Sequence, residues 1–168
     1  MDHHKGVAFP QFAHEDRFVS RQAPTARPPL EWRVFLRALA AEIDALGGEA
    51  ARDELLRSVG RRMAMLMPLS AVATLEALES EMTEALNSLG WGSTTLRLEA
   101  NEQDLTIVHT DLPLVGGAGS PPGQWLSAAL EGLYETWIGQ QPGGDPRFIA
   151  RRSGLPNPST ILLKYGKS

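Results

Sequence analysis

The sequence predicts an α+β domain, with three N-terminal helices, a β-hairpin, a long fourth helix and two C-terminal strands forming a helix-covered antiparallel sheet. Apolar residues recur at helical spacing from Leu30 to about Leu89, and the period drops to two near Leu96. A further helical stretch then separates that hairpin from a closing pair of alternating runs. With 168 residues the chain fits one domain. A domain of that size buries roughly 68–70% of its unfolded surface, so its core needs neither metal nor disulfide.

Residues 1–29 are expected to form an irregular arm and residues 30–168 the folded domain. The arm holds His3, His4 and His14 and four prolines, with no sustained period, and Phe9, Phe12 and Phe18 stand among its charges. From Leu30, helix one carries Trp32, Phe35, Leu36, Leu39, Ile43 and Leu46, started by Pro28-Pro29 and stopped by Gly47-Gly48. Helix two runs from about Glu49 with Leu55, Leu56, Val59, Met63 and Leu66 on one side, and ends before Pro68; Gly60 inside it points to close packing. Helix three starts near Ser70, aligns Val72, Leu75, Leu78, Met82, Leu86 and Leu89 against an acidic outer face, and stops at Gly90.

The hairpin pairs 95–99 with 105–109 around a turn at 100–104. A Gly/Pro-rich loop over 111–123 leads into the fourth helix, which bears Leu126, Ala129, Leu130, Leu133 and Trp137, with Pro121 or Pro122 near its first turn. The last strands are expected at 147–152 and 160–165, joined by Ser-Gly-Leu-Pro-Asn-Pro-Ser. Trp91, between two glycines, is expected to plug the core.

Composition removes several functions. There is no cysteine, which excludes disulfide frameworks, thiol nucleophiles and Cys-ligated metals. The net charge of −4 leaves no excess positive field, and the doublets Arg61-Arg62 and Arg151-Arg152 are too short for a nucleic-acid arm. The first ten residues lack a signal-type apolar run, which implies a cytoplasmic chain, and no stretch of ~20 apolar residues offers direct membrane insertion.

No reactive centre emerges from the motifs. The glycines of 115–123 resemble a phosphate loop, but no Lys-Ser/Thr follows them and Pro121-Pro122 remove N–H donors. The arm histidines lack the fixed geometry a metal requires. His109 shares a strand face with Leu105 and Ile107, which fits a hydrogen-bonded, half-buried ring better than a general base. The acidic pairs Asp53-Glu54 and Glu79/Glu81 belong to helix surfaces, and neither Gly-x-Ser-x-Gly nor His-Glu-x-x-His occurs. No catalytic residue, cofactor or metal is therefore assigned. Trp32, Trp91, Trp125 and Trp137 suit core packing or a subunit interface, and their flat faces could also stack on sugar rings.

Two stretches carry a family likeness. Leu55-Leu-Arg-Ser-Val-Gly-Arg-Arg-Met-Ala64 is followed by Leu86-Asn-Ser-Leu-Gly-Trp-Gly-Ser-Thr-Thr-Leu-Arg-Leu-Glu99, and Leu105 to Gly119 by Gln124-Trp-Leu-Ser-Ala-Ala-Leu-Glu-Gly-Leu-Tyr134. The chain resembles the bacterial cellulose synthase D-subunit family over roughly Glu31 to Tyr165. That resemblance implies a non-catalytic accessory subunit of the cellulose synthase complex. It implies a ring-like octamer assembled from dimers, with inner passages for glucan chains, that helps order and export cellulose while a separate membrane subunit polymerises it. Other synthase subunits are then partners, and a Pro-rich protein is a further expected one.

The family's chain start is short and placed inside the cylinder; here the arm adds Pro, Phe and Arg. Phe12, Arg17, Phe18 and Arg21, with Trp32, are the candidate contacts to glucan or a partner, since aromatics and arginine are enriched at binding surfaces. A glucan-guiding cylinder belongs in the periplasm, whereas the missing export signal implies a cytoplasmic scaffold near the inner membrane that arrays synthase complexes. The alternative function is a small-molecule sensor with a pocket between helices and sheet.

Overall fold

A computed structural model describes residues 30–99, 104–113, 124–157 and 159–167. Helix α1 (Leu30–Leu66) opens the chain, followed by α2 (Leu75–Leu89), β1 (Ser93–Leu98), β2 (Leu105–Thr110), α3 (Gln124–Gly139), β3 (Phe148–Asn157) and β4 (Thr160–Lys167). The α+β class holds, but the first two expected helices are one element. Gly48 alone leaves helical geometry, at φ 70° and ψ −175°. A glycine reaches that backbone region without the steric penalty of a β-carbon, so the chain bends there and resumes the helix at once.

The third expected helix begins five residues later than its apolar period indicates, because Thr74 is the cap. Its side chain accepts from the Ala77 N–H at 3.2 Å, which places Val72 in the preceding segment. Gly90 ends this helix in the left-handed conformation; its N–H donates to the Asn87 carbonyl and that of Trp91 to Leu86. Trp91 packs against the core while remaining partly exposed.

The four strands form an antiparallel sheet in the order β1-β2-β4-β3. β3 runs to Asn157, past the expected end at Arg152. Pro156 is tolerated because β3 is an edge strand, and register shifts after Arg152 and Gly154 absorb the irregular stretch. Asn157 closes the turn, its side chain accepting from the Ser159 N–H at 3.0 Å.

α3 is the central helix, buried nearly all round from Leu126 to Tyr134 and again at Trp137 and Ile138. One side meets α1 and the other the sheet face of Ile107, His109, Ile161 and Leu163. The α1 crossing is close: a β-carbon on Gly60 would overlap the Ala129 carbonyl, and one on Gly132 the Arg57 carbonyl. Reciprocal glycines let two helix backbones touch. Trp137 adds a tie from this helix to the end of α1, its indole N–H donating to the Met67 carbonyl at 2.9 Å.

Both sheet edges are covered by helix side chains. At β1, the Thr83 hydroxyl accepts from the Thr94 N–H and donates to the Thr94 carbonyl, and Glu79 accepts from the Leu96 N–H at 2.7 Å. At β3, Glu135 accepts from the Ala150 N–H and Glu131 from the Arg152 N–H. The acidic residues of helices α2 and α3 therefore satisfy backbone donors that an edge strand leaves open.

Candidate functional site: the outer face of the kinked helix

Exposed apolar surface is concentrated on α1. Of the eleven large apolar side chains exposed among the described residues, eight belong to this helix. Leu46 is 87% and Leu66 75% exposed, which is more than a packed helix leaves open. Leu55, Val59 and Leu66 share one side of the second half, and Leu39 and Leu46 one side of the first. The buried residues of α1 include Ala40, Leu56, Gly60 and Ala64, with Leu36 and Met63 partly buried against the core. Large apolar residues with helical period therefore lie on both sides of the helix, and Gly60 marks the crossing.

This surface is held by a chain of ions. Across the Gly48 kink, the buried Arg52 guanidinium reaches Asp44 at 2.9 Å, with Glu49 and Asp53 at 3.2 Å. Burial opposes the charge on Arg52, and Asp53, Asp44 and Glu49 more than offset it, leaving the pKa above its ordinary value. Asp53 pairs with Arg152 of β3, and Arg152 with Glu131 of α3 at 3.2 Å. Glu131, only 3% exposed, also takes Arg57 at 2.5 Å, and Glu54 joins Arg57 and Arg61 at 2.9 Å. Sequence spacing alone could not find this network, because residues from three distant elements close it.

The remaining titratable groups of the interior are sealed. His109 is fully buried, more so than expected, and its Nδ1 lies 2.6 Å from the Tyr134 hydroxyl. Burial lowers its pKa to about 4, against smaller opposing contributions from the Trp91 backbone and Asp111. Its Nε2 has no partner of proper hydrogen-bond geometry among the described residues. Burial likewise raises Tyr134 above the ordinary tyrosine value. Both rings are closed off from solvent, so the pair serves packing within the core.

A groove of about 240 Å³ lies between the start of α2 and the end of α3, lined by Val72, Leu78, Ile138, Phe148 and Tyr165 among others. Its polar groups are engaged. Thr74 caps α2, Gln141 accepts from the Val72 N–H at 3.0 Å, and Asp145 is gripped by Arg147, which holds its carboxyl down at about 2. Among the described residues no group of three or more His, Asp or Glu is arranged to hold a metal ion, and no helix is long and apolar enough to cross a membrane.

Of the candidate contacts, Phe12, Arg17, Phe18 and Arg21 lie outside the described residues, as do most of the Gly/Pro-rich loop and the arm histidines. Trp32 falls in the first turn of α1, and its side chain also lies outside them.

A family model for the cellulose synthase D-subunit matches residues 19–166. The chain belongs to this family. It is 43% identical over 145 residues to cellulose synthase operon protein D of Komagataeibacter xylinus, covering 82% of this chain and 93% of that protein. The same identity and coverage relate it to the protein of that name in Komagataeibacter sucrofermentans. The family match takes in α1 with its outer face, the Gly60–Gly132 crossing and the sheet.

Proposed function

We propose that the chain is a non-catalytic accessory subunit of a cellulose synthase complex, working as a homo-oligomeric scaffold. The observation that carries this is the apolar outer face of α1, a surface suited to burial against another subunit, in a chain of the cellulose synthase D-subunit family. The assembly is ring-like, an octamer by family resemblance, and stands on the cytoplasmic side of the inner membrane. It arrays neighbouring synthases so that their glucan chains emerge side by side and crystallise together. Phe12, Arg17, Phe18, Arg21 and Trp32 contact glucan or a second partner, a Pro-rich protein among the candidates.

Light scattering on the purified full chain tests the scaffold, with Leu55→Asp/Val59→Asp expected to reduce the mass while the helical circular dichroism stays unchanged. A wild-type monomer at cellular concentration would sink the reading. Fractionation tests the location, since native protein found in the periplasm would move the assembly to the other side of the membrane. In cells, loss of this chain alone is expected to leave glucan synthesis running and lower fibre order, read by diffraction of the secreted cellulose.

A further inference from the structure

The sheet has a second face, opposite α3, that no helix covers among the described residues. Its outward residues fall into cross-strand rows. Arg97 of β1 pairs with Thr106 of β2, Thr106 with Lys164 of β4, and Lys164 with Arg151 of β3. Three cations therefore stand in one line across four strands, and Arg97, Lys164 and Arg151 are all exposed. None of them makes an ion pair or side-chain hydrogen bond among the described residues. Two acids flank the row: Glu99, which accepts from the Thr106 hydroxyl, and Asp104, whose carboxylate lies over Gly166, two residues along β4 from Lys164. Lys164 and Arg151 sit directly opposite each other, an arrangement that costs stability unless an anion lies over it.

The same molecule carries the complement. α2 holds four glutamates and no Lys or Arg. Glu79 and Glu81 accept from backbone N–H groups of Leu96 and Ser70, whereas Glu76 and Glu84 are exposed on one side with Ser80 between them. Eight residues of helix separate Glu76 from Glu84 by about 12 Å. Three strand spacings separate Arg97 from Arg151 by about 14 Å. The two surfaces match in length and oppose in sign. They cannot meet within one subunit, because α2 is fixed along the β1 edge.

We propose that the Arg97–Lys164–Arg151 row receives the Glu76/Glu84 face of α2 from a second copy of this chain. The arm at 1–29 is a poor occupant, since it carries four Lys or Arg against three Asp or Glu. The contact is head-to-tail, each copy giving α2 and receiving another, so repetition closes a ring or extends a filament. It is separate from the apolar face of α1 and adds a second interface to it. The inference rests on the homo-oligomer reading.

Charge reversal tests it in the full chain by light scattering and sedimentation. Arg97→Glu/Lys164→Glu and, separately, Glu76→Lys/Glu84→Lys are expected to weaken assembly beyond the dimer by about tenfold or more, with the dimer retained. Mixing the two variants is expected to restore it, since the reversed sheet then meets a reversed helix. Wild-type assembly should loosen between about 0.05 and 0.5 M salt on the order expected for exposed pairs. Unchanged mass in either variant, or no recovery on mixing, overturns the contact while leaving the scaffold intact. A monomeric wild type overturns both. Loss of binding to anionic vesicles by the sheet variant, with its mass unchanged, would give the row to a membrane instead.

Discussion

At the scale of single residues, Gly60 and Gly132 set the distance between α1 and α3, because backbone meets backbone there. Gly60→Ala is expected to cost about 3 kcal/mol, the upper part of the overpacking range, and a denaturation midpoint measures it. Gly60 was legible in the sequence as a glycine inside a helical period; its partner was not, since nothing local marks Gly132 as the opposing contact. His109 gives a pH signature. The unfolded imidazole takes up its proton near 6.5 and the folded one only near 4, so the unfolded state binds more protons between those values. Stability is then full above about pH 6.5 and falls by roughly 3 kcal/mol as the pH drops through that window. His109→Gln, which keeps a partner for Tyr134, is expected to flatten this acid limb in thermal melts taken from about pH 7 to 4. An unchanged slope would assign the acid loss to other groups.

At the scale of elements, α1 shows why periodicity reveals a helix without revealing its inner side. Leu39, Leu46, Leu55, Val59 and Leu66 repeat as a core face would, yet they are exposed, while Ala40, Leu56, Gly60 and Ala64 are buried and Gly60 makes the close crossing with α3. Among the described residues the helix carries more apolar surface than its neighbours cover, and that excess is what the proposed interface would bury. The four strands and the central helix were legible because alternation and helical spacing directly reflect one-sided burial. The helix caps and strand ends were less so: Thr74 overrode an apolar period that starts earlier, and Pro156, a breaker by local rules, sits inside an edge strand. The ion network at Glu131 is the element-scale tie. Glu131→Gln removes the charge that Arg57 and Arg152 share, leaving Glu54 and Asp53 as their acidic partners in a partly buried site, with an expected loss of about 2 kcal/mol in urea unfolding. Full retention of stability would show that water screens both arginines.

At the scale of the whole molecule, two kinds of surface meet different needs. The apolar face of α1 suits a tight, permanent contact, and the charged rows of the sheet and α2 suit a contact that salt can tune. Removing residues 1–22 tests the arm: the number of subunits in the proposed oligomer is expected to stay the same, while fibre order in the producing strain falls, read by diffraction. Unchanged order would remove Phe12, Arg17, Phe18 and Arg21 from any role in cellulose. None of this larger organisation is written in local spacing, because it depends on which faces are left over once the core is complete.

The helix side chains that close both sheet margins have one more effect. An edge strand left bare offers unpaired backbone groups as a template for stacking whenever copies of a chain come close together. With Thr83 and Glu79 engaging Thr94 and Leu96 on one flank, and Glu135 and Glu131 engaging Ala150 and Arg152 on the other, those stretches of edge offer little template for amyloid-type growth.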